Sequence, residues 1–411
     1  MPTSSSSNRA WPDTLTKVPY WVFQEEDICR EEQQRIFEGP VWNYLCLEAE
    51  IPKPGDFRTT FVGAMPVVVA RDQQGALRAF ENRCAHRGSL ICLEDSGSAK
   101  EFTCVYHAWR YDQCGNVLSA AFQKGVAGKG GLPKDFDVRQ HGPRKLRTTT
   151  LCGLVFGTLS DATPSIEDYV GPEILKRFRR VLVRPVEVLG RFTQALPNNW
   201  KLYAENVRDT YHASLLHTFF PTFGITRLTQ GGGVTVSESG GHHASTSHAA
   251  VIEGQEGVYR QQQIRSQSDL RLKDPSLLDT VDEFEDGIVL QILTVFPGFV
   301  LQQIHNCLAV RQVLPRGAGA TALNWTYIGF RDDTFDMRRR RLRQSNMVGP
   351  AGYVSMEDGA VGGFVQRGVG TASEEHSYME MGGPLAESQD NRATEASVRG
   401  FWKMYRSAMG L

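Results

Sequence analysis

The chain has 411 residues, 41% of them apolar and 22% charged, with a formal net charge of -1. That length exceeds one compact core and predicts two domains, or one large domain with an insertion; the ordinary balance of residue types excludes disorder and fibrous repeats. No basic excess points to nucleic acid or a membrane surface, and no run approaches the roughly 20 apolar residues of a membrane span.

The chain opens on MPTSSSSNRAWPD, which lacks an apolar core and reads as a disordered tail and not a signal peptide, so a cytoplasmic protein is expected. In that reducing compartment the eight cysteines are expected as thiols or metal ligands. Residues 24 to 38, QEEDICREEQQRIFE, set Ile28, Ile36 and Phe37 among charges at helical spacing and predict a leading helix. From residue 39 to 160 short β-rich runs (FRTTFVG, PVVVAR, LRAFEN, FTCVYH, GLVFGTL) alternate with turn clusters such as DQQG and QCGN, the pattern of a small antiparallel domain. The loop GVAGKGGLP lacks the ending of a phosphate-binding loop.

The region 161 to 411 mixes both periodicities. LPNNWKLYAENVRDTYHASLLHTFF, residues 196 to 220, is amphipathic without internal proline and predicts mostly helix. Residues 287 to 330 read as three strands of a meander, GIVLQILTVF, GFVLQQIHNCLAVRQVL and ATALNWTYIGF. In the basic run Arg338 to Arg341, Asp336 and Arg340 have the i,i+4 spacing of a solvated helix face. A closing helix is predicted over 390 to 408. The fold class is therefore α+β, with an antiparallel first domain and a second domain in which an antiparallel sheet accompanies helices; residues 1 to 38 are expected to pack on the second domain.

Two constellations carry chemistry. Cys84-Ala85-His86 and Cys104-Val105-Tyr106-His107 form a CxH and CxxH pair of loops. Two thiolates on one iron and two imidazoles on the other describe a Rieske 2Fe-2S cluster, whereas zinc fingers use Cys pairs and His pairs. Trp109 and Gly88 suit an apolar cover and a tight turn beside it, and Cys92 and Cys114 are plain thiols by default. The second constellation is Asp209-Thr210-Tyr211-His212 with His217. Two neutral imidazoles and a carboxylate on one face of Fe(II) leave positions open for O2 and a neighbouring substrate. Five residues of helix rotate through about 140°, so the helix must bend or end between the two histidines. Asp209 is either a ligand or an outer acceptor for His212, and VSMEDGAVGG offers Glu357 and Asp358 as third ligand. His242, His243 and His248 have no supporting carboxylate and are read as pocket wall or surface loop.

The two motifs in this order resemble the α subunits of aromatic-ring-hydroxylating dioxygenases, through CAHRG, CVYHAW, NNWKLYAEN, DTYH, LLH and GPAGYVSMEDG. The resemblance implies a helix-grip catalytic domain, with His212, His217 and Asp358 as iron ligands. It makes Asp209 the bridge between His212 and the cluster ligand His107 of a neighbouring subunit. Naphthalene-type members carry an Asn four positions before that Asp; Asn206 stands three before it here, so the resemblance assigns it no role. Stretches such as WNYLCLEAEIP, PGDFRTTF and SVRGFWKMYR are similar to terephthalate dioxygenase large subunits, with salicylate hydroxylases more distant. The implied reaction takes O2 and converts terephthalate to its 1,2-cis-dihydrodiol. Electrons come from NAD(P)H through a reductase, a separate protein because the chain has no GxGxxG signal. A small β subunit in an α3β3 ring is also implied.

A dicarboxylate needs permanent cations. Arg311 interrupts the apolar run LAVRQVL, where a charge is costly unless matched, and Arg392 in DNRATE is the second candidate. Ser245 is a hydroxyl donor to a carboxylate, and Ile288 and Ile292 are candidates for the ring faces. The competing reading of Arg311 is an internal salt bridge to Glu283 or Glu285. Two other functions compete: a salicylate or aminobenzoate monooxygenase, and a simple electron-transfer Rieske protein needing only residues 40 to 160.

Overall fold

The computed structural model describes residues 10–255, 257–262, 264, 270–350 and 352–411. Most of the expected N-terminal tail lies outside them. Two compact units emerge among the described residues, 37–169, and 10–36 with the residues from 170 on. The first boundary lies close to the expected residue 38, but the second falls nine residues beyond the expected 160. The extra segment is tied back by Trp42 Nε1, which donates to the Pro164 carbonyl (3.0 Å), and by Arg147, which donates to Thr163 O (2.5 Å).

In the 37–169 unit, strands β1 (Asn43–Leu47), β2 (Asp56–Val62), β3 (Met65–Arg71), β4 (Leu77–Glu81) and β5 (Ser96–Ser98) are followed by β6 (Glu101–Thr103), β7 (Arg110–Asp112), β8 (Val117–Ser119), β9 (Lys145–Leu151) and β10 (Leu154–Thr158). Seven form an antiparallel sheet of order β1-β10-β9-β4-β3-β2-β5, and β6-β7-β8 form a small second sheet. Phe57, Val68, Phe80, Phe102 and Tyr111 pack a core that includes Cys84 and Cys104.

The other unit is built on a seven-stranded antiparallel sheet of β11 (Val186–Leu196), β12 (Gln230–Val236), β13 (His243–Val251), β14 (Ile288–Val295), β15 (Phe299–Ile304), β16 (Cys307–Pro315) and β17 (Thr321–Phe330), in the order β11-β17-β16-β15-β14-β13-β12. The predicted meander therefore has four strands where three were expected. The long middle segment turns at His305-Asn306, with Ile304 paired to Cys307 and His305 at φ 53°. No Gly or Pro marks that turn. Helices α1 (Glu26–Glu32), α2 (Trp200–Asn206), α3 (Ala213–Leu216), α4 (Phe335–Val348), α5 (Tyr353–Val369) and α6 (Ala396–Met409) accompany the sheet, with α5 against α2, α4 and β11.

The stretch 196–220 is not one helix. After α2 the carboxylate of Asp209 accepts the backbone N–H groups of Tyr211 (2.8 Å) and His212 (3.2 Å), and such local bonds compete with the helical ladder. The chain resumes as α3 and leaves it at His217 (φ -84°, ψ 79°). The break gives the two histidines the freedom that a continuous helix would deny them.

The basic run is also used differently. Arg339, not Arg340, pairs with Asp336 (3.1 Å), Arg338 pairs with Glu187 (2.6 Å), and Arg341 turns inward to Asp333 (2.7 Å) and Glu283 (2.5 Å).

Residues 10–36 are locked to this unit by a buried charge. Glu32 on α1 accepts from Lys201 Nζ (2.5 Å), Trp200 Nε1 (2.7 Å) and Tyr405 OH (2.7 Å), and both members of the ion pair are essentially inaccessible. Glu32→Gln strands the Lys201 ammonium in the core and is expected to cost about 3–5 kcal/mol, read as a lowered midpoint in denaturant; Lys201→Met with Glu32→Gln should recover part of that loss.

Candidate functional site

In the 37–169 unit the two cluster loops share one construction. Gly88 N donates to Cys84 O (2.8 Å) and Cys84 N to Ser89 O (2.7 Å); Ala108 N donates to Cys104 O (2.9 Å) and Cys104 N to Trp109 O (2.9 Å). Each loop needs one left-handed residue, Gly88 (φ 74°) and Ala108 (φ 51°). The result places both cysteines inside (3% and 1% exposed) and both imidazoles toward solvent, with ring centroids 4.5 Å apart. That separation of buried sulfurs from outward nitrogens fits a two-iron cluster with thiolates on the inner iron and imidazoles on the outer. Trp109 stacks on His86 at 5.2 Å and 4°. Tyr111 OH donates to Cys84 Sγ (3.1 Å) and accepts from Ala85 N (3.0 Å); burial and the Cys84 contact hold this phenol above its usual range, so it stays a donor. Burial raises the thiols of Cys92 and Cys114 as well.

In the other unit His212, His217 and Asp358 bring one ligand atom each within 4.8 Å of one another, the one such group of three found among the described residues. Asp358 Oδ1 lies 3.4 Å from His212 Nε2 and 3.2 Å from His217 Nε2. Ligand atoms each about 2.1 Å from a shared cation at right angles stand about 3.0 Å apart, so the spacing fits a metal. The electrostatics fit too. Burial lowers the basicity of both imidazoles, but the carboxylates outweigh it: Asp209 and Asp358 push His212 up to about 10, and Asp358 and Glu357 raise His217. Burial raises Asp358, yet the two imidazoles hold its carboxyl below the carboxylate range. Such a group favours a cation among its members.

Glu357 takes the other side of His217, with Oε2 2.7 Å from Nδ1. Asp209 Oδ2 is 3.5 Å from His212 Nδ1, so it stands behind the imidazole and not with the ligand atoms. Asn206, to which the sequence assigned no role, donates to Asp358 Oδ1 (3.2 Å) and reaches His212 Nε2 (3.4 Å).

His212, His217 and Asp358 open onto a cavity also lined by Asp209, Ser245, Ile292, Arg311, Trp325 and Arg392. Arg311 donates to Tyr203 OH (2.6 Å) and to the Gln302 side chain, and its guanidinium lies 4.4 Å from the Trp325 ring centroid. Glu283, a proposed partner for Arg311, is taken by Arg341 and Arg184. Arg392 donates to Thr226 Oγ1 (2.6 Å) and to the Arg227 carbonyl, and burial lowers it to about 10. Its backbone is pinned by Thr210 Oγ1, which donates to Arg392 O (2.7 Å). Neither guanidinium has a carboxylate partner among the described residues, and Nε of each is buried without an acceptor. Ile292 lines the cavity but Ile288 does not. His242 and His243 are not wall or surface loop: both are core residues, His242 Nδ1 accepting from Phe296 N (3.2 Å) and His243 Nδ1 bonded with Thr294 Oγ1 (2.6 Å). Sequence reasoning missed Tyr203, Gln302 and Thr226; the one available signal was Gln302 interrupting an apolar strand.

Residues 41–128 match the Rieske [2Fe-2S] domain family and residues 182–411 the ring hydroxylating alpha subunit (catalytic domain) family. The terephthalate 1,2-dioxygenase terminal oxygenase component subunit alpha 2 of Comamonas sp. is 59% identical over 97% of this chain and 96% of its own length. The anthranilate 1,2-dioxygenase large subunit of Burkholderia cepacia is 44% identical over 97% and 94%, and the salicylate 5-hydroxylase large oxygenase component of Ralstonia sp. 38% over 97% and 96%. Among solved structures, naphthalene 1,2-dioxygenase from Rhodococcus sp. superposes with a TM-score of 0.79 at 22% identity, covering 96% of this chain and 94% of that one.

Two outcomes are expected. Tyr111→Phe removes a hydrogen bond to a cluster sulfur and should lower the cluster's reduction potential by about 60 mV, the one-electron equivalent of about 1.4 kcal/mol, in a spectroscopic redox titration. Glu205, bonded to Trp402 Nε1 (2.6 Å), is raised to about 8 by burial and by Asp209 and Glu395. A carboxyl raised in the fold stabilises it below the unfolded value, and that contribution is lost as pH rises from about 4.5 through 8. Glu205→Gln should therefore show a smaller fall in denaturation midpoint between pH 5 and pH 8.5 than the parent.

Proposed function

The chain belongs to the α subunits of the ring-hydroxylating dioxygenases, oxidoreductases that join a Rieske domain to a catalytic iron domain, and from that premise we propose that it cis-dihydroxylates an aromatic ring carrying two para carboxylates, terephthalate to its 1,2-cis-dihydrodiol. The observation that carries the substrate class is the pair of buried guanidiniums, Arg311 and Arg392, facing one cavity without a carboxylate partner among the described residues. Buried charge is tolerated when a partner matches it, and a dianion matches two. Salicylate or anthranilate, with one carboxylate, leaves one guanidinium unmatched.

In this reading Cys84, His86, Cys104 and His107 hold the cluster, and His212, His217 and Asp358 hold the mononuclear iron. When bound, the cluster supplies single electrons and the iron supplies the ferrous centre at which O2 is activated. Arg311 and Arg392 take one carboxylate each and Ser245 donates its hydroxyl to one of them. Leu290, Ile292 and Ile304 cover the ring and keep water out. Asp209, held by the amides of Tyr211 and His212, backs His212 and accepts the His107 imidazole of a neighbouring copy. The working unit is then a ring, α3β3 with a small β subunit, served by a separate NAD(P)H-linked reductase.

The test is turnover under labelled O2 across a panel of benzoates. Two labelled atoms in the product of terephthalate are expected. Arg311→Ala and Arg392→Ala should each lower kcat/KM for terephthalate about 30-fold or more, the equivalent of about 2 kcal/mol. One labelled atom, or idle terephthalate beside rapid salicylate turnover, would overturn the substrate assignment.

A further inference from the structure

Of the two imidazoles at the iron site, His217 is the more completely fixed. It is 2% exposed, and its two nitrogens face two successive residues of α5. Nδ1 lies 2.7 Å from Glu357 Oε2, and Nε2 lies 3.2 Å from Asp358 Oδ1. His212 is held more loosely: Asp209 stands behind its Nδ1 at 3.5 Å, against 2.7 Å for Glu357 at His217.

Resting on the ligand set proposed above, we infer that Glu357 is a positioning residue of the iron centre, accepting the Nδ1–H of His217 so that the Nε2 lone pair points at the metal. A neutral imidazole carries one N–H, and an ionised carboxylate can only accept, so a contact of 2.7 Å assigns the proton to Nδ1. The opposite tautomer would turn N–H toward the cation and abolish ligation. The carboxylate also holds the ring plane and makes Nε2 a stronger donor.

The backbone explains why two adjacent acids divide this labour. Successive helical positions diverge by about 100°, so the pair straddles the imidazole instead of competing for one end. Glu357, one methylene longer and partly exposed, reaches round to the far nitrogen; Asp358 is short and buried. The ligand atoms gathered within 4.8 Å include Asp358 and not Glu357.

The experiment measures ferrous affinity of the full chain, cluster intact, by competition with a chromophoric chelator; the cluster's visible absorption and the thermal midpoint report folding. Asp358→Ala is expected to hold no mononuclear iron. Glu357→Leu, a helix-compatible change at a partly exposed position, should bind iron about 10- to 100-fold more weakly. Glu357→Gln keeps an oxygen that accepts from Nδ1–H and should recover most of the loss. Parental affinity in Glu357→Leu beside an iron-free Asp358→Ala overturns the inference and leaves the proposed function standing. An equal loss in both Glu357 variants overturns the tautomer role. Retention of iron by Asp358→Ala, with loss in Glu357→Leu, makes Glu357 the ligand and overturns the proposed ligand set itself.

Discussion

The contact on which the catalytic unit turns is Asp358 Oδ1 held between the Nε2 atoms of His212 and His217. Three polar groups, His217 and Asp358 buried and His212 partly so, are aimed at one point, an arrangement unfavourable for neutral partners and favourable around a cation. The scaffold supplies the compulsion. Asp209 ends the helical path before His212, α3 ends at His217, and α5 packs against α2 so that Asp358 arrives from a distant part of the chain. Asn206 donates to Asp358 Oδ1, and Glu357 meets the far nitrogen of His217.

A second constraint concerns the buried arginines. Arg341 and Arg311 are both withdrawn from solvent, yet their surroundings differ in kind. Arg341 meets Asp333 and Glu283 and is spent on structure. Arg311 meets a phenol, an amide and an indole face, which orient a guanidinium without neutralising it. Arg392 meets a hydroxyl and a carbonyl. The fold thus keeps two oriented guanidiniums, without a carboxylate partner among the described residues, beside His212, His217 and Asp358, at a cost that a matching anion would offset.

The 37–169 unit meets a different demand. A cluster must be sheltered on its sulfur side and accessible on its imidazole side if electrons are to pass. Two loops of the same hydrogen-bond pattern, each with a left-handed residue, produce that polarity from a small antiparallel sheet, and the Tyr111 hydroxyl adds a donor to one sulfur.

Much of this was legible in the sequence, for a physical reason: ligands on one short loop are close whatever the rest of the chain does. Cys84, His86, Cys104 and His107 were readable as a cluster site from spacing, as were His212 and His217 as a pair, and alternation of apolar residues announced both antiparallel sheets. Where a property depended on distant segments, the sequence stayed silent or misled. From spacing alone it could not choose between Glu357 and Asp358, which the resemblance settled on Asp358, because the choice depends on which end of His217 each side chain reaches. It drew one helix over 196–220 because the local bonds of Asp209 leave no trace in periodicity, and merged two strands at a turn without Gly or Pro. It read His242 and His243 as wall or loop although the fold buries both, His243 as a paired residue of β13. Whether Arg311 was neutralised by Glu283 was decided only by tertiary structure, which gives Glu283 to Arg341 and Arg184 and leaves Arg311 facing the cavity.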